Sequence, residues 1–190
     1  EGLSVEMLTQ GNDNYRNTPN HNKMYRVERN FTHIAETDTS KYLDQIKKTA
    51  DNIENGLQLQ GGTGIGIKIV SCNIDSVPDI TQLGDAVESL YIYNCKNITS
   101  IPKFSGVNRS LTHLTISACS LSDTDSLMNI KNAFPNLVYI DISKNPLERL
   151  PDRCFYNQET EANAKYDISE LAGQGRAFST YARADVIGAI

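Results

Sequence analysis

The chain has 190 residues, of which 39% are hydrophobic and 22% charged, and its formal net charge is −5. At roughly 150 residues per domain this is one compact domain with extensions, long enough to bury a core without metal or disulfide staples. Residues 1–60, 61–150 and 151–190 carry 7 basic against 9 acidic, 7 against 8, and 4 against 6 side chains, so no third has the basic footprint of a nucleic-acid or anionic-membrane binder. No run approaches the roughly 18 apolar residues a membrane-spanning helix needs. The chain opens at Glu1 with no initiator Met and no charged-then-apolar leader, which a removed signal or a trimmed start would both produce.

In chain order, residues 1–22 are Asn-rich and polar and read as a mobile arm, and Tyr25, Val27, Arg29 and Phe31 alternate in the manner of a strand. Residues 40–55 read as a helix: Ser40 caps it, Leu43, Ile46, Ala50 and Ile53 form an apolar stripe, and Gly56 ends it. That stripe suits a cap on whatever follows, or a helix for a partner. Leu57-x-Leu59 and Gly61-Gly62 then form a lead-in turn.

A repeat follows. Ile67-x-Ile69-x-x-Cys72-x-Ile74 is matched by Leu90-x-Ile92-x-x-Cys95-x-x-Ile98, by Leu114-x-Ile116-x-x-Cys119-x-Leu121, and by Ile140-x-Ile142-x-x-Asn145-x-Leu147. The starts at Ile67, Leu90, Leu114 and Ile140 are nearly evenly spaced, and the period falls within the roughly 20–50 residues typical of repeat architectures. Three residues upstream stand Gly64, Val87, Leu111 and Leu137, so Gly64 departs from the apolar pattern and suggests an edge repeat. Lys96-Asn97 inserts one extra residue before Ile98 and suggests a bulge in the turn. Alternating apolar residues imply a short strand per repeat with one face inward. The Cys/Asn position must be small and able to serve nearby backbone groups. Between the strands, Ser76–Ile80 and Ser100–Phe104 carry an early Pro and suit extended or 3₁₀ pieces. Asp123 caps a helix running to about Ala133, with Leu127, Ile130 and Phe134 on one side. Leu147, Leu150, Pro151 and Phe155 start a further repeat that is not completed.

The pattern resembles the leucine-rich repeat family, L-x-x-L-x-L-x-x-N/C-x-L, over about residues 64–155. The resemblance implies an α/β solenoid of about four coils with a parallel sheet on its concave face. Around it the expected organisation is an arm and strand at 1–39, a capping helix and lead-in turn at 40–63, repeats at 64–155, and a helical cap or docking tail at 156–190. In that tail, helices are expected near 160–172 and 176–187, split by Gly173-Gln174-Gly175.

Little in the chain points to catalysis. His21, His33 and His113 have no metal-ligand spacing. Gly61–Gly66 is glycine-rich, but no Lys-Ser/Thr and no helix follows, as a phosphate cradle requires. Cys154, after Asp152 and Arg153, has no His partner and reads as a structural or free thiol, with a thiol enzyme as its rival. Cys72, Cys95 and Cys119, with Asn145, form an expected ladder of buried, reduced side chains, which fits a reducing compartment better than a secreted one. Asn30-Phe31-Thr32, Asn97-Ile98-Thr99 and Asn108-Arg109-Ser110 match the glycosylation triplet and read as chance in an Asn-rich chain.

Function therefore falls to the surface that the repeat presents. The resemblance places Gly66, Lys68, Val70 and Ser71; Ser89, Tyr91, Tyr93 and Asn94; His113, Thr115, Ser117 and Ala118; and Tyr139, Asp141, Ser143 and Lys144 on the concave face. Lys68, Tyr91, Tyr93, Asn94, His113, Thr115, Tyr139, Asp141 and Lys144 are the expected partner contacts, because tyrosine offers large area with a polar tip at low entropy cost. These sixteen positions fall short of the roughly 20–30 residues per side of a standard interface. The expectation is a protein–protein recognition module without cofactor, metal or catalysis, more like bacterial, phage or intracellular members than receptor ectodomains, and similar to the substrate-selecting part of a bacterial effector ligase. An assembly or attachment component of a larger particle is the alternative.

Overall fold

The computed structural model describes residues 27–54, 64–137, 139–147, 165–167 and 180–182. They form a mixed α/β fold with one sheet, whose strands are β1 (Val27–Thr32), β2 (Ile65–Val70), β3 (Val87–Tyr93), β4 (His113–Ser117), β5 (Tyr139–Asp141), β6 (Lys165–Asp167) and β7 (Thr180–Ala182). The strands lie in chain order. β1 to β6 run parallel and β7 is antiparallel to β6. Parallel neighbours need a return segment between them. After β1 it is helix α1 (Thr39–Glu54), after β2 a 3₁₀ turn (Ile80–Leu83), and after β4 a 3₁₀ turn (Thr124–Leu127) continued by helix α2 (Met128–Ala133).

The register follows the repeated sequence. Ile67, Leu90, Leu114 and Ile140 pair across adjacent strands, as do Ile69, Ile92 and Ile116. All seven are buried in one apolar cluster with Leu111, Leu121, Leu127, Ile130, Phe134 and Leu147. After each of β1 to β5 the chain turns through one residue in the left-handed region: His33, Ser71, Asn94, Ala118 and Lys144, with φ between 53° and 58°. The first four directly follow their strands and Lys144 stands three residues past β5, so these turns recur along the chain in step with the strands. Four of them donate their N–H to the next strand end: His33 to Val70 O, Ser71 to Tyr93 O, Asn94 to Ser117 O and Ala118 to Ser143 O, at 2.9–3.1 Å. A left-handed conformation costs an L-residue roughly 1–2 kcal/mol, and Ala has no side-chain polar group to offset it. Ala118→Gly is expected to stabilise the protein by about 0.5–1 kcal/mol after the extra unfolded-state entropy of glycine, and Ala118→Val to destabilise it. Urea denaturation of the three proteins checks the order.

The sheet reaches beyond residues 64–155 on both sides. The alternation read at 25–31 forms a strand from Val27 on, β1, which pairs with β2 so that Arg29 stands level with Ile67 and Phe31 with Ile69. Arg29 occupies a core-facing register position, and its guanidinium donates to Gln45 Oε1 of α1 at 3.0 Å. Helix α1 is thus the segment that returns the chain from this additional parallel strand to β2. It begins one residue before the expected start, and its cap is Asp38, whose Oδ1 accepts from the Ser40 N–H at 2.9 Å and the Ser40 hydroxyl at 2.8 Å. The buried stripe is Tyr42, Ile46 and Ala50. Leu43 is only half-buried, because the i, i+4 row through Tyr42 faces the sheet. Tyr42 packs on Phe31 with ring centroids 5.2 Å apart and donates its hydroxyl to Glu36 O at 2.6 Å.

The edge reading of Gly64 is also corrected. β3 carries one extra residue, so the register shifts after Ile65↔Val87 and resumes at Gly66↔Ser89. Buried Ile65 thereby takes the place expected of residue 64. Lys96-Asn97 do form a turn, closed by Ile98 N–H on Cys95 O at 3.3 Å. Asp123 caps as expected, accepting from the Ser126 N–H at 3.3 Å, but the first turn is 3₁₀.

Residues 165–167 and 180–182 are strands where helices were expected. The open backbone edge of β5 offers ladder hydrogen bonds that an isolated tail helix lacks, and pairing overrides the weak helical pattern. Tyr166 pairs with Ile140 across that edge, and Tyr166-x-Ile168 keeps the spacing of the apolar strand positions, with Leu171 in place of the Cys/Asn residue. The arm at 1–22, Gly56, Leu57–Leu59, the side chain of Ile53, Leu150, Pro151, Cys154 and Phe155 lie outside the described residues, as does the rest of the tail.

Neighbouring return segments are tied by polar side chains. Asp79 accepts from Thr81 N–H at 3.2 Å and from the Thr81 hydroxyl, and its second oxygen accepts from Ser105 N–H at 2.9 Å. Burial alone would raise the Asp79 carboxyl, but the hydrogen bonds from Thr81, Ser105 and Gln82 hold it below the usual carboxylate range. The unfolded chain therefore takes up the proton first as pH falls. Asp79 contributes stability that is present above the unfolded-state value near pH 4 and lost as pH drops through the lower folded-state value. Asp79→Asn is expected to flatten the fall in melting temperature below about pH 4, measured by circular dichroism between pH 7 and 2.

Candidate functional site

Cys72, Cys95, Cys119 and Asn145 form the ladder at the strand ends, all at most 4% exposed. The three thiols are free and buried. Each donates to the carbonyl two residues before it: Cys72 to Val70 O at 3.4 Å, Cys95 to Tyr93 O at 3.5 Å and Cys119 to Ser117 O at 3.3 Å. Burial pushes the thiols up, Cys95 to about 12 and Cys119 to about 11, while backbone groups of the preceding strand end oppose it. Burial raises Cys72 as well. A thiolate is the reactive form, so these side chains are inert packing. Asn145 does more with its amide: Oδ1 accepts from Cys119 N–H at 3.1 Å and Leu121 N–H at 3.2 Å, and Nδ2 donates to Ile116 O at 2.7 Å.

The asparagines of the three glycosylation triplets differ in burial. Asn30 and Asn108 are buried. Asn108 donates to Val87 O at 2.9 Å and accepts from Ser110 and Leu111 N–H. Asn97 is exposed and donates to Asn73 O at 2.9 Å. Gly64 runs directly into β2, so no helix N-terminus follows the glycines. Among the described residues there is no group of three His, Cys, Asp or Glu that could hold a metal ion, and no helix long and apolar enough to cross a membrane.

On the sheet face away from the core, the expected contact residues divide. The row Glu28, Gly66, Ser89, His113 is buried across four strands. His113, expected to meet a partner, is 6% exposed, with Nδ1 2.9 Å from the Thr112 hydroxyl. Thr115 is 2% exposed. It stands between Tyr91 and Asp141 in register, and a small side chain between two larger ones is shut off from solvent. Ser117 and Ser143 are buried with their hydroxyls 2.9 Å apart. His113 and Thr115 are thus removed from the contact set. The side chain of Tyr139 lies outside the described residues.

What remains open is a strip toward the strand C-termini. Lys68, Val70, Ser71, Tyr91, Tyr93, Asn94, Ala118 and Asp141 are half-buried and Lys144 is exposed. Tyr91 and Tyr93, two residues apart on β3, point to the same side and stack with centroids 6.2 Å apart and an interplanar angle of 23°. The Lys68 ammonium lies 5.8 Å from the Tyr91 ring centre, within cation–π range. Asn94 donates to the Ser71 hydroxyl at 2.9 Å, and Asp141 Oδ1 accepts from Ser143 N–H at 2.9 Å. Burial, the Asp141 charge and Tyr93 together push the Tyr91 hydroxyl up, so Tyr91 stays a neutral donor. Among the described residues the strip offers stacking area, hydrogen bonds and cations, and no nucleophile–base pair. Lys96, just past the ladder cysteine, was missed from the sequence because it follows the strand; its ammonium reaches Ala118 O and sits at the same rim.

Comparison with protein families, characterised proteins and solved structures gives no match to this chain.

Proposed function

We propose that this chain is a leucine-rich repeat solenoid that works as a protein–protein recognition module, without catalysis of its own, holding its partner on the open strip of the sheet. The observation that carries the reading is the stacked Tyr91–Tyr93 pair with Lys68 beside it on the open part of the outward face. Paired tyrosines held by their neighbours lose little entropy on binding, which is why such residues recur as anchors of interfaces. The repeat reading is supported by the five left-handed turn residues that follow successive strands, and by the in-register pairing of the repeated apolar positions. The narrowed contact set is Lys68, Tyr91, Tyr93, Asn94, Asp141 and Lys144. Three free buried thiols fit a reducing compartment.

The test is affinity capture from the source organism or its host, with wild type beside a folded Tyr91→Ala/Tyr93→Ala variant. A protein captured by wild type and lost by the variant supports recognition on the strip. Equal capture by both sinks it and moves function to the terminal segments, which favours the assembly reading. Capture of nothing by either favours a spacer role.

A further inference from the structure

The chain as a whole is acidic, at −5, yet its open strip is not. The cations there are Lys68, over the Tyr91 ring, Lys96, whose ammonium rests on Ala118 O, and Lys144, exposed at its left-handed turn. Between β2 and β5 the carboxylate on the strip among the described residues is Asp141, which already accepts from Ser143 N–H, and Asp167 of β6 stands level with it in register. The return segments and turns carry exposed charge of both signs, with Asp44, Asp75, Asp85, Asp123 and Asp125 set among Lys41, Lys47, Lys48, Lys103 and Arg109. The excess of cations is local to the rim around the stacked tyrosines, and a local excess of this kind selects a partner of opposite sign.

Resting on the recognition reading above, we infer that the segment bound by this strip is an acidic peptide, which sets a large apolar or aromatic side chain on the Tyr91–Tyr93 pair and carboxylates against Lys68, Lys96 and Lys144. The strip spans β2 to β5, a distance of roughly 15 Å at about 4.8 Å per strand, which four or five extended residues cross. A peptide of that reach satisfies a surface too small for a standard globular interface. Three lysines flanking two aromatic rings are too few for the phosphate tracking of a nucleic-acid groove, and the chain's net charge opposes it.

A library of random dodecapeptides displayed on phage is selected on the wild-type protein and counter-selected on Tyr91→Ala/Tyr93→Ala, whose fold is verified by circular dichroism. The expected set carries two or more Asp or Glu beside an aromatic or large aliphatic residue. One selected peptide, made with a fluorescein label, is then titrated by anisotropy against Lys68→Gln and Lys144→Gln. Each is expected to weaken binding about two- to fivefold, and 0.3 M salt is expected to weaken it further. Lys48→Gln, an exposed position on α1, is expected to change nothing. Discriminated peptides that are neutral or basic, or lysine variants that bind as wild type does, overturn the acidic inference while leaving recognition by the strip standing. No discriminated peptide overturns the peptide inference, and the capture experiment decides the recognition reading separately. A labelled oligo(dT) that binds in a Lys68-dependent manner more tightly than the peptide also overturns it.

Discussion

Asn145→Ala is expected to destabilise the protein by about 3–5 kcal/mol, among the larger effects of any single side-chain change. The amide is 4% exposed and serves two strand ends at once. Its oxygen takes the N–H groups of Cys119 and Leu121 after β4, and its nitrogen donates to Ile116 O, Ile142 O and Ser143 O at 2.7–3.1 Å. Alanine leaves two buried N–H groups without acceptors, and each such group costs about 1–3 kcal/mol because water cannot reach it. Asn145→Asp keeps the acceptor but loses the donor and buries a charge, so it is expected to fall below wild type as well. Guanidinium denaturation gives the numbers. A loss under about 1 kcal/mol for the alanine variant would show that the chain beyond Ile140 contributes little to the cooperative unit.

Ile116→Ala is expected to cost about 2–5 kcal/mol, while Tyr93→Ala, one strand away on the other face, stays within about 1 kcal/mol of wild type. Ile116 is 1% exposed between Ile92 and the return segments, in a cluster that runs along the sheet. Its loss leaves a cavity that the paired strands cannot close. Tyr93 is half-buried and stacks on Tyr91, so its removal exposes ring surface without opening the core. The same denaturation curves, measured on both variants, test the facing of every strand. Equal losses at the two positions would mean that the inward and outward rows are interchanged, since a slip of one residue moves the whole apolar set to the other face.

Much of the central fold was legible because its signal repeats. A period-two strand followed at a fixed offset by a small ladder residue occurs four times in one register, and coincidence in all four is improbable where one instance would mean nothing. The additional strand β1 escaped that search because Arg29 stands where Ile67, Leu90 and Leu114 stand, and Ile34 takes the ladder position. Its alternation gave the strand but not its place in the series. Tyr166 was readable in principle, since it stands level with Ile140, but helical periodicity in the tail competed with it and backbone pairing to β5 prevailed. On the candidate site, the sequence identified Lys68, Tyr91, Tyr93, Asn94, Asp141 and Lys144 as outward-facing. It could not separate them from His113 and Thr115, because outward-facing in a strand and open to solvent are different properties.

The sequence by itself determined the strand period, the ladder of small residues and the inward apolar rows, since these follow from the two-residue alternation of side chains and the volume each core position admits. Tertiary structure alone decided which strands join the sheet beyond the regular four and where the register shifts at Ile65. It also decided which half of the outward face stays open. Those outcomes depend on backbone groups of one strand meeting those of another, and on side chains of unequal size standing side by side across strands, such as Tyr91 beside Thr115. Neighbours of that kind are separated in the chain by a strand end and a whole return segment, beyond the reach of any local pattern.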